Sequence, residues 1–269
     1  MEIRPVPPPL RPFVSRLWAT TGRARHPAGT RQERMLPTGA MHLVLRLEED
    51  PVRIVDAVGG RRLPSALVGG ARTAPYLKEV GNPVPAVGAM LKPGAAGCLF
   101  GVSAEELAET HTPLEAFWGD EAHRLTERLR ACPNPGRRLE LFVQALAARL
   151  PRVRGVHPAI ALALEAVDRG AERVDDLARE AGVGPRRFGR LFREHVGLGP
   201  KRWLRLRRFQ RTLPYAMSPD PDWARVALDL GYADQPHLAR EFRVFSGLTP
   251  GDYHRRAPAS ANHVPEDAR

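Results

Sequence analysis

The sequence predicts an α+β chain: a β-rich region over residues 1–92, a helical connector over 93–155, and an all-α domain over 156–257. Three observations predict it. Short apolar runs punctuated by Gly and Pro fill the first third of the chain. A helical period takes over at Lys92-Pro93-Gly94, and from Val174 onward one helix pair occurs twice.

Residues 1–30 are proline-rich (RPVPPPLRP), with an apolar patch at Phe13, Val14, Leu17 and Trp18 that suits a short helix or a strand. An apolar run at 43–47 follows a Pro-Thr-Gly turn and reads as a strand. Further strands are expected at 52–58, ended by Gly59-Gly60, at 66–68 and at 84–91. Hairpin-like spacing of the turn residues makes a compact barrel or sandwich the simplest arrangement.

In the connector, Ser103-Ala-Glu-Glu106 has capping-box spacing, and Thr112-Pro113-Leu114-Glu115 repeats the signature. Two helices are expected at about 120–131 and 135–150. The second carries Leu139, Phe142, Leu146 and Leu150 at helical spacing, a stripe that must be buried on the β-region or in a second subunit. Residues 150–155 read as a linker, and Pro158 opens the next helix with Ile160, Leu164 and Val167 inward.

The repeat begins with VDDLAREAG from Val174 and WARVALDLG from Trp223. Apolar residues fall at i, i+3, i+4 and i+7 in both, and a glycine ends each helix. In the second helices Phe188 and Phe192 align with Leu238 and Phe242, and Arg190 and Arg193 with Arg240 and Arg243. The exits GLGP and GLTP match, with Trp203 answering Tyr253. The offset is 49 residues before the turn (174 to 223) and 50 after it (188 to 238), so one turn is a residue longer. The two copies read as twin helix-turn-helix units. Between them KRWLRLRRFQRTL reads as a connecting helix with Trp203, Leu206, Phe209 and Leu213 inward, stopped by Pro214. Residues 258–269 are small and polar and read as a flexible tail.

Formal net charge is +11, but the distribution says more than the total. Between 186 and 211 there are ten basic residues and one acid, Glu194. Arg186, Arg190 and Arg193 lie at i, i+4 and i+7, on the face opposite Phe188 and Phe192, with Arg187 beside them. Guanidinium groups on an exposed second helix can bond guanine O6 and N7 or clamp phosphates. In the second unit Asp234 is the expected N-cap, leaving Gln235, His237, Arg240 and Arg243 on the outer face. Glu241 is expected to form a local ion pair, and the arginines of the connecting helix to meet phosphates or acidic side chains.

YADQPHLAREFRVFSGLTPGDY (232–253) resembles the DNA-binding domain of AraC-family transcription regulators, and the likeness runs over 156–256. Its marks are the glycine–aromatic turn, the Arg-x-Phe core and the Gly-x-x-Pro exit. The resemblance implies double-stranded promoter DNA as partner, with Arg186, Arg187 and Arg190 at base-reading positions. Gly189 stands where many relatives carry a larger polar side chain. It further implies a variable N-terminal sensor or dimerisation domain, often a cupin-like barrel, and hence a small-molecule effector or a homodimer. An architectural DNA-binding protein whose N-terminal domain only dimerises is the alternative.

Enzyme chemistry is not expected: G-x-S-x-G, P-loop, GxGxxG, H-E-x-x-H and C-x-x-C patterns are all missing. The nine histidines and the two cysteines, Cys98 and Cys132, form no cluster at metal-ligand spacing, so neither a metal nor a cofactor is expected. Without a membrane-length apolar run, a soluble cytoplasmic protein is expected.

Overall fold

In the computed structural model, which describes residues 2–22, 32–48, 52–81, 84–150 and 156–266, the apolar runs of the first third become antiparallel strands. They are β1 (Glu2–Arg4), β2 (Val14–Thr21), β3 (Gln32–Met35), β4 (Met41–Arg46) and β5 (Val52–Asp56). β6 (Gly59–Leu63), β7 (Ala66–Gly69), β8 (Tyr76–Glu79) and β9 (Pro85–Leu91) follow. With β10 (His111–Pro113), one sheet runs β1-β2-β9-β4-β7-β10. With β11 (His263–Glu266), the other runs β11-β3-β8-β5-β6. Among the described residues no strand joins the two sheets, so the barrel alternative is not adopted. Alternation explains the faces: Met41, Leu43 and Leu45 are buried, while His42, Val44 and Arg46 are half-buried.

Helices take over after β9 as α1 (Ala95–Leu99), α2 (Ala104–Leu107), α3 (Glu115–Trp118), α4 (Asp120–Arg130) and α5 (Pro135–Arg149). Ser103 closes the expected capping box on α2: its Oγ accepts from Glu106 N at 3.3 Å, and Glu106 Oε1 accepts from Ser103 N at 2.9 Å. The second signature, Thr112 to Glu115, makes no such box. Thr112 and Pro113 pair with Val68 and Leu67 in an edge strand, where proline's missing N–H is tolerated. The region read as a connector therefore contributes β10 to the first sheet. Leu139, Phe142 and Leu146 of α5 are fully buried against that sheet, so the stripe is covered within the chain. Of the expected linker, residues 151–155 lie outside the described residues.

The C-terminal half comprises α6 (Pro158–Asp168), α7 (Val174–Glu180), α8 (Pro185–Val196), α9 (Pro200–Ala216), α10 (Trp223–Asp229), α11 (Gln235–Ser246) and α12 (Pro250–Arg255). Two sequence expectations are corrected here. Pro214 does not stop α9, which continues to Ala216. One lost hydrogen bond in a last turn is tolerated, and Ala216 is fully buried. Nor is the tail free: His263–Glu266 pairs with β3, and Val264 is fully buried. Arg34 and Arg256 both hold Glu266, at 2.5 and 2.6 Å, and Tyr253 Oη donates to Ala261 O at 2.9 Å. Small, polar composition hides such a strand because long-range pairing creates it.

Glu33 ties this second sheet together, accepting from Lys78 Nζ at 3.0 Å and meeting His263 Nδ1 at 3.4 Å. Burial pushes its carboxyl upward, but the His263 hydrogen bond and the Lys78 charge outweigh that and hold it at about 2. A depressed carboxylate contributes stability that is present above its unfolded value and lost as pH falls. Wild-type stability should therefore drop between pH 4.5 and about 2. Glu33→Gln should flatten that limb in denaturant titrations across the same window. An unchanged slope would mean that the carboxylate is not coupled to folding.

Candidate nucleic-acid interface

The doubled sequence becomes a doubled geometry. In the helix pairs α7–α8 and α10–α11 the turn glycines Gly182 and Gly231 take φ of 64° and 71°, the left-handed region that glycine enters without strain. Phe192 packs edge-on against Trp203 at 5.3 Å and 70°; its counterpart Phe242 packs against Tyr253 at 5.4 Å and 72°. Helix α9 serves both units. Its Trp203 closes the first core, while Phe209 lies 5.1 Å from Phe242 and 5.4 Å from Phe245 in the second.

Burial of Phe188, Leu191 and Phe192 turns the opposite face of α8 to solvent, and Arg186, Arg187, Arg190 and Arg193 are all exposed there. On α11, Leu238, Phe242 and Phe245 are buried, while Gln235, Arg240 and Arg243 are exposed. Asp234 caps α11 as expected, accepting from His237 N at 2.6 Å. His237 is the exception among the outer-face residues. It is half-buried, its Nδ1 accepts from Ala233 N at 3.2 Å, and its ring meets Tyr232 edge-on at 5.4 Å. It holds the turn.

Ion pairing divides the arginines into two sets. Glu241 takes Arg205 bidentately, Nε to Oε2 at 2.8 Å and Nη2 to Oε1 at 2.6 Å. That bond raises the guanidinium's pKa and lowers the carboxyl's. Glu172 receives Arg208 at 3.3 Å and Arg211 at 2.5 Å. Arg207 stacks on Trp203 at 5.0 Å with Asp168 3.6 Å away. Four connecting-helix arginines, Arg205, Arg207, Arg208 and Arg211, thus meet acidic side chains. By contrast, among the described residues Arg186, Arg187, Arg190, Arg240 and Arg243 have no acidic partner. Lys201 and Arg202, in the first turn of α9, are likewise exposed and unpaired. They were visible only as members of the basic cluster, since the side of a helix start they occupy depends on how α9 docks.

Arg193 stands apart from its neighbours on α8. It reaches back to Glu105 of α2 at 3.1 Å, both side chains about half exposed. The same end of α8 is pinned by Gly94 N, which donates to His195 O at 2.8 Å, and by Gly197, where a Cβ would meet Ala104 O at 2.9 Å. From α9, Gln210 Nε2 donates to Pro37 O at 2.7 Å and to Asn262 Oδ1 at 2.8 Å. One contiguous core takes in buried side chains of both halves, while Ile54, Leu63 and Leu67 form a separate small cluster. Among the described residues no group of acidic, histidine and cysteine side chains could hold a metal, and no helix is long and apolar enough to cross a membrane.

Comparison with known proteins gives two separate matches along the chain. A family profile described as "Helix-turn-helix domain" matches residues 177–256, and one described as "Domain of unknown function (DUF6597)" matches residues 1–113. The HTH-type transcriptional regulator GlxA of Rhizobium meliloti is 36% identical over 107 residues, 38% of this chain and 32% of the relative. The HTH-type transcriptional regulator ArgR of Pseudomonas aeruginosa is 25% identical over 114 residues, 41% of this chain and 35% of the relative. The chain thus spans about a third of the length of these curated relatives. The crystal structure of ToxT from Vibrio cholerae aligns with 93% of this chain and 100% of its own, at a TM-score of 0.47 and 8% identity. The repeated helix pairs, their shared aromatic cores and the matched profile lead to one assignment: residues 177–256 are a helix-turn-helix domain of the AraC type.

Proposed function

We propose that the chain is a sequence-specific DNA-binding transcription regulator acting on promoter DNA in the cytoplasm. One observation carries this reading. Five arginines on the second helices of the two units are exposed and unpaired among the described residues, while Arg205, Arg207, Arg208 and Arg211 of α9 each meet a carboxylate. Arg186, Arg187 and Arg190 then read or clamp one major-groove segment, and Gln235, Arg240 and Arg243 the next, about one turn (~34 Å) along the duplex. Arg193 joins them when it leaves Glu105. His237, engaged through Nδ1, supports the turn and offers its remaining ring nitrogen to a phosphate. The relatives' description as transcriptional regulators supports the same reading.

Residues 156–257 do the binding, in this proposal, and residues 1–92 with the 93–155 segment modulate it, through a small effector or a homodimer. Contacts from α1 and α2 to α8 give that modulation a route. The test is selection of bound duplexes from random sequence by the purified chain at stated salt. Enrichment of a site with two contacted segments one turn apart is expected. Recovery of unenriched DNA, with binding that vanishes as salt rises, would leave only charge-driven association.

A further inference from the structure

A second polar cluster lies between the two sheets. In the first sheet His42, Gly69 and His111 form one cross-strand row. A Cβ at 69 would overlap the His42 ring, so glycine makes the room in which the two imidazoles approach to 6.0 Å. From the other sheet, Asp56 at the end of β5 accepts from Arg61 Nη2 at 2.8 Å and Arg72 Nη2 at 3.2 Å through a single oxygen. Tyr76 stands 5.2 Å from His111, with Arg72 over its ring at 5.0 Å.

The hydrogen-bond inventory of this cluster is one-sided. Arg72 is only 8% exposed, yet among the described residues its Nε has no acceptor; neither has the buried Nε of Arg61 nor the buried Nε2 of His111. Arg72 Nη1 lies 3.5 Å from His111 Nδ1. A guanidinium can only donate, so Nδ1 is the acceptor and the neutral ring carries its proton on Nε2. Three buried N–H groups therefore lack acceptors among the described residues, an arrangement native interiors rarely leave unanswered. Charge points the same way: two guanidinium groups face one carboxylate. Burial, with the nearby Arg72 charge, keeps His42 neutral, its pKa lowered to about 4; burial, the His42 ring and the arginines take His111 down to about 3.

We propose that the space between the sheets binds a small carboxylate anion, taken by the N–H donors of Arg61, Arg72 and His111. An acceptor-only anion matches both the unanswered donors and the surplus positive charge, which a neutral hydroxyl ligand does not. Ile54, Leu63 and Leu67 form the apolar floor where the sheets meet, suited to the carbon end of such a ligand. Arg61, with 38% of its side chain exposed, is the group that swings out to admit it. Use of this site as the effector site rests on the regulator reading above; binding itself does not.

The experiment is a ring-¹⁵N histidine NMR titration of the full chain, without DNA, against sodium acetate and sodium benzoate. Sodium chloride at matched ionic strength and inorganic phosphate serve as comparators. Saturable shifts of the His42 and His111 signals with the carboxylates but not with chloride are expected, together with an upward move of the His111 titration. Arg61→Gln, at a half-exposed position that tolerates change, should weaken the carboxylate at least about tenfold. Arg72→Gln should abolish saturation if it folds. Shifts that chloride reproduces, or none, would overturn the site and leave the donors to water. Tighter binding of phosphate than of either carboxylate would overturn the ligand class. Because no DNA is present, these outcomes are separate from the duplex selection.

Discussion

Phe209→Ala is expected to destabilise the chain by about 3–5 kcal/mol, the largest single effect foreseen for this molecule. Phe209 is fully buried at the middle of α9, edge-on to Phe242 and tilted against Phe245. Its removal leaves a void between the connecting helix and α11 that neither helix can fill, because α9 is also fixed at Trp203 by the first unit. Denaturant unfolding measures the loss. Leu228→Ala, on an exposed face of α10, should change stability by no more than about 0.5 kcal/mol. Equal midpoints for the two variants would show that the units are not joined through this aromatic contact. The surviving folded fraction of Phe209→Ala should also bind DNA more weakly, since α11 loses the support that sets its angle to α8.

Arg190→Ala is expected to weaken binding to a selected site by ~1–3 kcal/mol and to relax base preference at one position. Arg190 projects from the middle of α8 with no acidic partner among the described residues. Arg211→Ala makes the contrast, since that guanidinium is already held by Glu172 at 2.5 Å and should leave affinity and preference nearly unchanged. Competition binding on the selected duplex and on a scrambled one, at two salt concentrations, separates the cases. An equal loss on both duplexes for Arg190→Ala would assign it to a phosphate. A large loss for Arg211→Ala would mean that the pair with Glu172 opens on DNA.

Legibility in the sequence followed periodicity. The C-terminal helices could be read because their stripes are apolar and their ends are marked, by Asp234 at a start and by glycines such as Gly197 and Gly247 at the stops. Strands β4 and β9 were legible for the same reason. β3 and β6 were not, because the residues they place toward the molecule's interior include Glu33 and Arg61, which break any apolar alternation. β11 was hidden in a tail of small polar residues, and β10 behind a false capping box at Thr112. The candidate DNA face was legible as a set of arginines, yet its division into free and occupied members was not. Arg193 and Arg190 are equivalent in the helical pattern; only the first meets a carboxylate from another part of the chain.

The sequence by itself determined the twin helix pairs, their inward aromatics and the outward arginines, since those follow from local spacing and from end signals within a dozen or so residues. Tertiary structure alone decided the return of 263–266 to the first-third sheet, the capture of Arg193 by Glu105, and the placing of Arg72 between the Asp56 carboxylate and His111. Each of those joins residues from different secondary-structure elements through hydrogen bonds and charge. Such pairs leave no period in the sequence, because what selects them is the shared burial that folding creates.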